Sequence, residues 1–184
     1  MQIVVFPELS ITGYTCGDLF FQEALQEDAL LGMLEIAENT AHLDIISIVG
    51  LPIVIGQQLL NVAAVIQQGH ILGLIPKSYL PNYKEFYEQR WFVSAFDNLM
   101  SEYDIRGEHI PVGNDLLFST PEVVFGIEIC EDLWAPVPRS SVLAMQGAEI
   151  IFNLSASNEC VGKHKYLQNL ISPTIRQVDF RICI

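Results

Sequence analysis

The sequence predicts a mixed-sheet α/β domain. Short apolar runs that stop at Pro or Gly alternate with longer helical stretches. Two pairs of these runs flank turn sequences, as antiparallel hairpins do. The chain has 184 residues, 51% of them hydrophobic, enough for one core, and it carries no repeat, low-complexity tract or linker. In order, Ile3 to Phe6 reads as a buried strand ending at Pro7. A loop with Gly13 and Gly17 follows, and Asp18 is placed to N-cap a helix from about Leu19 to Leu43. Asp44 to Val49 is a second strand, closed by Gly50 and Pro52. Asn61–Ile66 and Ile71–Ile75 form a hairpin about Gln67-Gln68-Gly69-His70. Pro76 to Phe92 is too irregular for a core element, and 107–115 reads as loop. Leu116–Ser119 and Val123–Ile129 form a second hairpin, Arg139–Gln146 a helix closed by Gly147, and Glu149–Leu154 a strand. From Gly162 to Ile171 the pattern is helical again.

Charge and cysteine usage narrow the function classes. Net charge is −13, from 22 acidic and 9 basic residues, and the pI is about 4.5, which argues against nucleic-acid and anionic-membrane partners. Mean hydropathy is +0.34, yet no apolar run reaches the roughly 18 residues of a spanning helix. A strand-like segment follows Met1 at once, so no signal peptide is expected. The cysteines at 16, 130, 160 and 183 have no C-x-x-C spacing and no histidine cluster among 42, 70, 109 and 164. Neither a disulfide framework nor a metal site is expected, and the compartment is expected to be the reducing cytoplasm.

The chemistry concentrates where strands end. Gly126-Ile127-Glu128-Ile129-Cys130-Glu131-Asp132-Leu133-Trp134 puts a cysteine at the stop of an apolar run, among three carboxylates. Nearby negative charge disfavours a thiolate, so a reactive Cys130 needs a base and a cation from elsewhere. Glu8 lies just past the first strand and Lys77 just past the first hairpin. A desolvated carboxylate can take the thiol proton, and a lysine can stabilise the oxyanion formed when sulfur attacks a carbonyl. Each residue also has a plainer reading: packing for a buried cysteine, a solvated turn for a lone Glu or Lys. Cys16 and Cys160 read as packing or loop residues, and Lys163, His164 and Lys165 as a solvated helix start.

Three motifs tip the balance. Phe-Pro-Glu-Leu-Ser-Ile-Thr-Gly-Tyr (6–14), Pro-Lys (76–77) and Ile-Cys-Glu-Asp-Leu-Trp (129–134) together resemble the nitrilase superfamily of carbon–nitrogen hydrolases. The stretches 15–20, 80–92 and 153–157 narrow the resemblance to the glutaminase domain of glutamine-dependent NAD+ synthetases, from about Ile3 to Ile171. The resemblance implies an α-β-β-α sandwich and a triad of Glu8 (base), Lys77 (oxyanion stabiliser) and Cys130 (nucleophile), with Glu88 orienting the lysine. It implies glutamine recognition by Tyr83, Glu131, Trp134 and Ser157, with Tyr14 near the pocket. Glutamine would be hydrolysed through a γ-glutamyl thioester, and the ammonia passed to an ATP-dependent synthetase domain that this chain lacks. No cofactor is then expected in this chain, because ATP and Mg belong to that domain. Homo-oligomers are expected, as in the family.

The same resemblance makes the chain look truncated at both ends, with a domain at 1–171 and an atypical tail at 172–184. Removing one C from a permitted Pro173 codon set restores the Ser-Ala-Arg and Tyr-Val-Tyr pattern of the family. The tail is therefore expected to be a frameshift, which the gene sequence tests directly. Two other readings stay open: a stand-alone nitrilase-family amidase or carbamoylase, and a non-catalytic fragment that keeps the motifs.

Overall fold

The computed structural model describes residues 2–98, 100–158, 165 and 181–183. Among these residues, two four-stranded sheets stack face to face. The first has the order β1-β2-β3-β4, from β1 (Gln2–Val5), β2 (Ile45–Ile55), β3 (Gln58–Gln67) and β4 (His70–Pro76). β1 runs parallel to β2, and the other pairs are antiparallel. A small hairpin of β5 (Glu102–Ile105) and β6 (Glu108–Pro111) follows. The second large sheet has the order β10-β9-β8-β7, from β7 (Leu117–Ser119), β8 (Val124–Ile129), β9 (Ile150–Leu154) and β10 (Arg181–Cys183), with only the β7–β8 pair antiparallel.

Strand alternation decides which side chains meet in each layer. Ile46, Ile48, Ala63, Val65 and Ile75 of the first sheet face Phe125, Ile127, Ile129, Phe152 and Leu154 of the second, forming the interior. The opposite parity of β2 and β3 (Val49, Leu51, Ile53, Leu60, Val62, Ala64) packs on Met33 and Ala37 of α1 (Glu23–Thr40). Leu143 and Ala144 of α3 (Arg139–Met145) cover Ile151 on the far side. The short helix α2 (Glu88–Trp91) lies between β4 and β5. These are the layers of an α-β-β-α sandwich. No helix among the described residues is long and apolar enough to cross a membrane.

Several local expectations are corrected. Asp18 does not cap the long helix. It lies inside a 3₁₀ segment, Tyr14–Phe21, and α1 begins at Glu23; Asp18 instead accepts from Arg90 and Trp91. Gly50 and Pro52 do not end β2, which runs on to Ile55. Among the described residues, pairing with β1 covers only 45–48, so Pro52, which lacks an N–H, lies buried in β2 beyond the stretch that β1 pairs. The stretch 107–115 is not all loop, because β6 pairs with β5 around Arg106 and Gly107, both at positive φ as a tight hairpin turn requires. The helix expected over 162–171 and the tail boundary at 172 lie outside the described residues, apart from Lys165 and 181–183.

Gly50 has a positional role. A Cβ there would stand 2.3 Å from Leu9 N and 2.7 Å from Pro7 O, so the bare backbone lets the Glu8 turn cross over β2. Ser10 Oγ meets Gly50 N at 3.1 Å, and Ile11 N donates to Gly50 O at 3.0 Å. Gly50→Ala is expected to destabilise the chain by about 1–3 kcal/mol through overpacking against backbone. Thermal melting checks this, and an unchanged melting temperature would contradict it.

Candidate active site

β1, β4, β8 and β9 all end at one edge of the sandwich, and each end delivers a functional group. Glu8 follows β1, Lys77 follows β4, Cys130 follows β8 and Ser155 follows β9. Lys77 is 0% exposed, and its Nζ lies 2.6 Å from Glu8 Oε1 and 2.7 Å from Glu88 Oε1. The predicted base, cation and second glutamate thus form one buried ion cluster. Burial opposes the lysine's charge, but Glu8 and then Glu88 outweigh it and hold its pKa above the ordinary value. Burial is also the leading influence on Glu88, which stands above the usual carboxylate range even though Lys77 pulls it down. Tyr14 donates to Glu88 Oε1 at 2.7 Å, so it supports the second glutamate.

Glu8 has its two oxygens differently engaged. Oε1 accepts from Lys77 and, at 2.8 Å, from Asn61 Nδ2, while Oε2 accepts from Ala156 N at 3.2 Å. Oε2, free of the lysine, is the oxygen suited to take a proton. Ser155, one residue before Ala156, donates to Cys130 Sγ at 3.5 Å, so a single loop touches both Glu8 and the sulfur. Cys130 has φ +44°, a left-handed backbone at the start of the 3₁₀ turn Cys130–Leu133. Such strain in a non-glycine residue persists where its surroundings hold it.

The Cys130 thiol is pushed up to about 12, first by burial and then by Glu8, against the opposing pull of Lys77. The acidic sequence neighbours are not what raise it. Glu128 points to the other side of β8, where it accepts from Ser140 N and Asn153 Nδ2, and Glu131 meets Tyr83. For such a thiol to act as a nucleophile at neutral pH, a base must take its proton as it attacks.

The expected recognition residues fall into two groups. Tyr83 OH lies 3.1 and 3.0 Å from the two oxygens of Glu131. Both residues line a cleft of about 950 Å³ with Trp134, Ser78, Asn82 and Ser94 among its other walls. Burial and Glu131 push the Tyr83 phenol up to about 12. Ser157 is exposed, in the loop that carries Ser155 and Ala156. Sequence reasoning missed Asn61 and Ser155; the polar break at Asn61 in an apolar hairpin strand was the available signal for the first. Among the described residues, no group of three or more His, Cys, Asp or Glu could hold a metal ion.

The carbon–nitrogen hydrolase family profile matches residues 1–176. The chain belongs to the carbon–nitrogen hydrolase family. Within this family it is similar to the glutamine-dependent NAD(+) synthetase of Mycobacterium bovis, with 37% identity over 164 residues, 88% of this chain and 24% of that protein. The same-named protein of Aquifex aeolicus is 34% identical over 170 residues, 92% and 27% of the two chains. The crystal structure of a glutamine-dependent NAD(+) synthetase from Cytophaga hutchinsonii matches with TM-score 0.85 and 29% identity, over 99% of this chain and 30% of that one. An amidase from Nesterenkonia sp. AN1 shares the fold at TM-score 0.73 and 16% identity, over 99% and 65%. This carbon–nitrogen hydrolase chain therefore spans less than a third of the length of the synthetases it matches.

Proposed function

We propose that this chain is the glutamine amidohydrolase part of a glutamine-dependent NAD+ synthetase. The observation that carries the proposal is the Lys77 ammonium clasped by Glu8 and Glu88, with one loop bridging Glu8 to the Cys130 sulfur. Similarity to the synthetases supports glutamine as the substrate.

In the mechanism that this geometry supports, Glu8 Oε2 takes the thiol proton as Sγ forms a bond to the amide carbon, and the carbonyl electrons move to oxygen. Lys77 and the backbone N–H of Glu131 stabilise that oxyanion. Collapse breaks the C–N bond, the nitrogen takes the proton back from Glu8, and ammonia leaves a γ-glutamyl thioester. Glu8 then deprotonates water for attack on the thioester, and the C–S bond breaks to return the thiol. Glu88, supported by Tyr14, keeps the lysine aimed. Glu131 pairs with the α-ammonium of glutamine, Tyr83 fixes the Glu131 carboxylate, and Trp134 and Ser157 complete recognition. The ammonia passes to a synthetase domain that uses ATP and Mg, so the chain itself requires no cofactor. A cytoplasmic homo-oligomer belongs to the same reading.

Ammonia release from glutamine, compared with simple aliphatic amides and carbamoyl compounds, tests the proposal. Turnover confined to the other amides would replace it with a stand-alone amidase. Glu131→Gln removes a charge-assisted contact of about 1.5–3 kcal/mol. It is expected to raise KM for glutamine about 10- to 100-fold with a smaller change in kcat, measured by steady-state ammonia assay. An unchanged KM would remove Glu131 from recognition.

A further inference from the structure

We propose that Asp132 is a positioning residue whose single carboxylate ties the strand end carrying Lys77 to the strand end carrying Cys130 and so sets the spacing of ammonium and sulfur. The inference rests on the amide-hydrolysis reading for its consequence, but its geometry is independent of any substrate. Asp132 Oδ1 accepts from Ser78 N at 3.0 Å and Tyr79 N at 2.8 Å, and Oδ2 accepts from Ile129 N at 3.1 Å. Ser78 directly follows the lysine, and Ile129 directly precedes the nucleophile.

The clamp crosses between sheets. β4 belongs to the first sheet and β8 to the second, and nearby the two meet through apolar side chains such as Ile75, Ile127 and Ile129. Apolar contact resists separation, but it is non-directional and does not fix how far one sheet slides along the other. Hydrogen bonds from both strand ends to one rigid carboxylate do fix it. Asp132 is 2% exposed, and burial pushes its carboxyl up to about 7 despite the backbone donors. So costly a group is accounted for by the donors it serves, since without it those N–H groups would lie unpaired beside the site. The turn it closes also holds the left-handed backbone of Cys130.

Asp132→Asn in the full chain tests this, because the isosteric amide turns one acceptor into a donor facing N–H groups. The expected result is a folded protein with KM within about threefold of wild type and kcat lowered about 100-fold, the scale of a misplacement near 1 Å. Cys130 alkylation by iodoacetamide, read at its own peptide by mass spectrometry, is expected to slow and to shift its pH profile. Wild-type kcat together with a wild-type alkylation profile would overturn the proposal. If the wild type hydrolyses no amide, the function reading fails, and the alkylation profile alone still decides the role of Asp132. If Asp132→Asn does not fold, Asp132→Glu and wild-type amide exchange take its place. Wild-type kcat in the Glu variant, or fast hydrogen exchange at Ser78 and Tyr79, overturns the proposal; lowered kcat with slow exchange supports it.

Discussion

Replacing Lys77 by Met is expected to abolish amide hydrolysis and to cost about 3–5 kcal/mol of stability, because it strands two buried carboxylates. Glu8 and Glu88 each lie within 2.7 Å of the ammonium, and both are almost fully buried. Met fills the same volume, so a cavity contributes little and the loss reports stranded charge. At roughly 2–4 °C per kcal/mol for a chain of this size, the melting temperature should fall by about 10 °C. The gap to wild type should narrow as pH falls, because protonation relieves the stranded carboxylates. Lys77→Arg should recover part of the stability but little activity, since a planar guanidinium does not place one donor where the ammonium stood. A Met variant as stable as wild type at neutral pH would show that the cluster is not held together by this charge.

Cys130→Ala is expected to separate chemistry from stability. Ammonia release should fall on the order of 10⁴-fold or more, as when a nucleophile is removed from a coupled catalytic group. Stability should change little, since alanine and cysteine face the same left-handed backbone at φ +44° and the lost Sγ is small. Calorimetry with and without glutamine checks the second half, because retained binding still raises the melting temperature. A variant that releases ammonia at the wild-type rate would refute covalent catalysis at this sulfur.

Much of the site was legible in the sequence because its chemistry follows strand ends, and apolar runs mark strand ends well. Glu8, Lys77 and Cys130 each sit just past such a run, and parallel placement of β1 with β4 and of β8 with β9 gathers them at one edge. What sequence could not give was the direction of each side chain. Glu128 is two residues from Cys130, yet the parity of β8 turns it away toward α3. The carboxylates that raise the Cys130 pKa are Glu8 and Glu88, more than 40 residues away along the chain. Asp18 has the residue type of a helix cap, but a salt bridge to Arg90 (Nε 2.7 Å from Oδ1) outcompeted that use. Gly50 and Pro52 have the composition of a strand end, but a stretch beyond the β1 pairing and a crossing turn gave them places inside β2. Asn61 and Ser155 belong to no spacing rule, and the folded geometry is what places them against Glu8 and the Cys130 sulfur.

Rapid mixing of wild-type protein with glutamine, acid quenching and peptide mass spectrometry tests the central claim most directly. A γ-glutamyl group on the peptide carrying Cys130, appearing before steady-state ammonia release and absent in Cys130→Ala, is the expected result. Ammonia release with no acyl group on that peptide, or with the group on another residue, would contradict it.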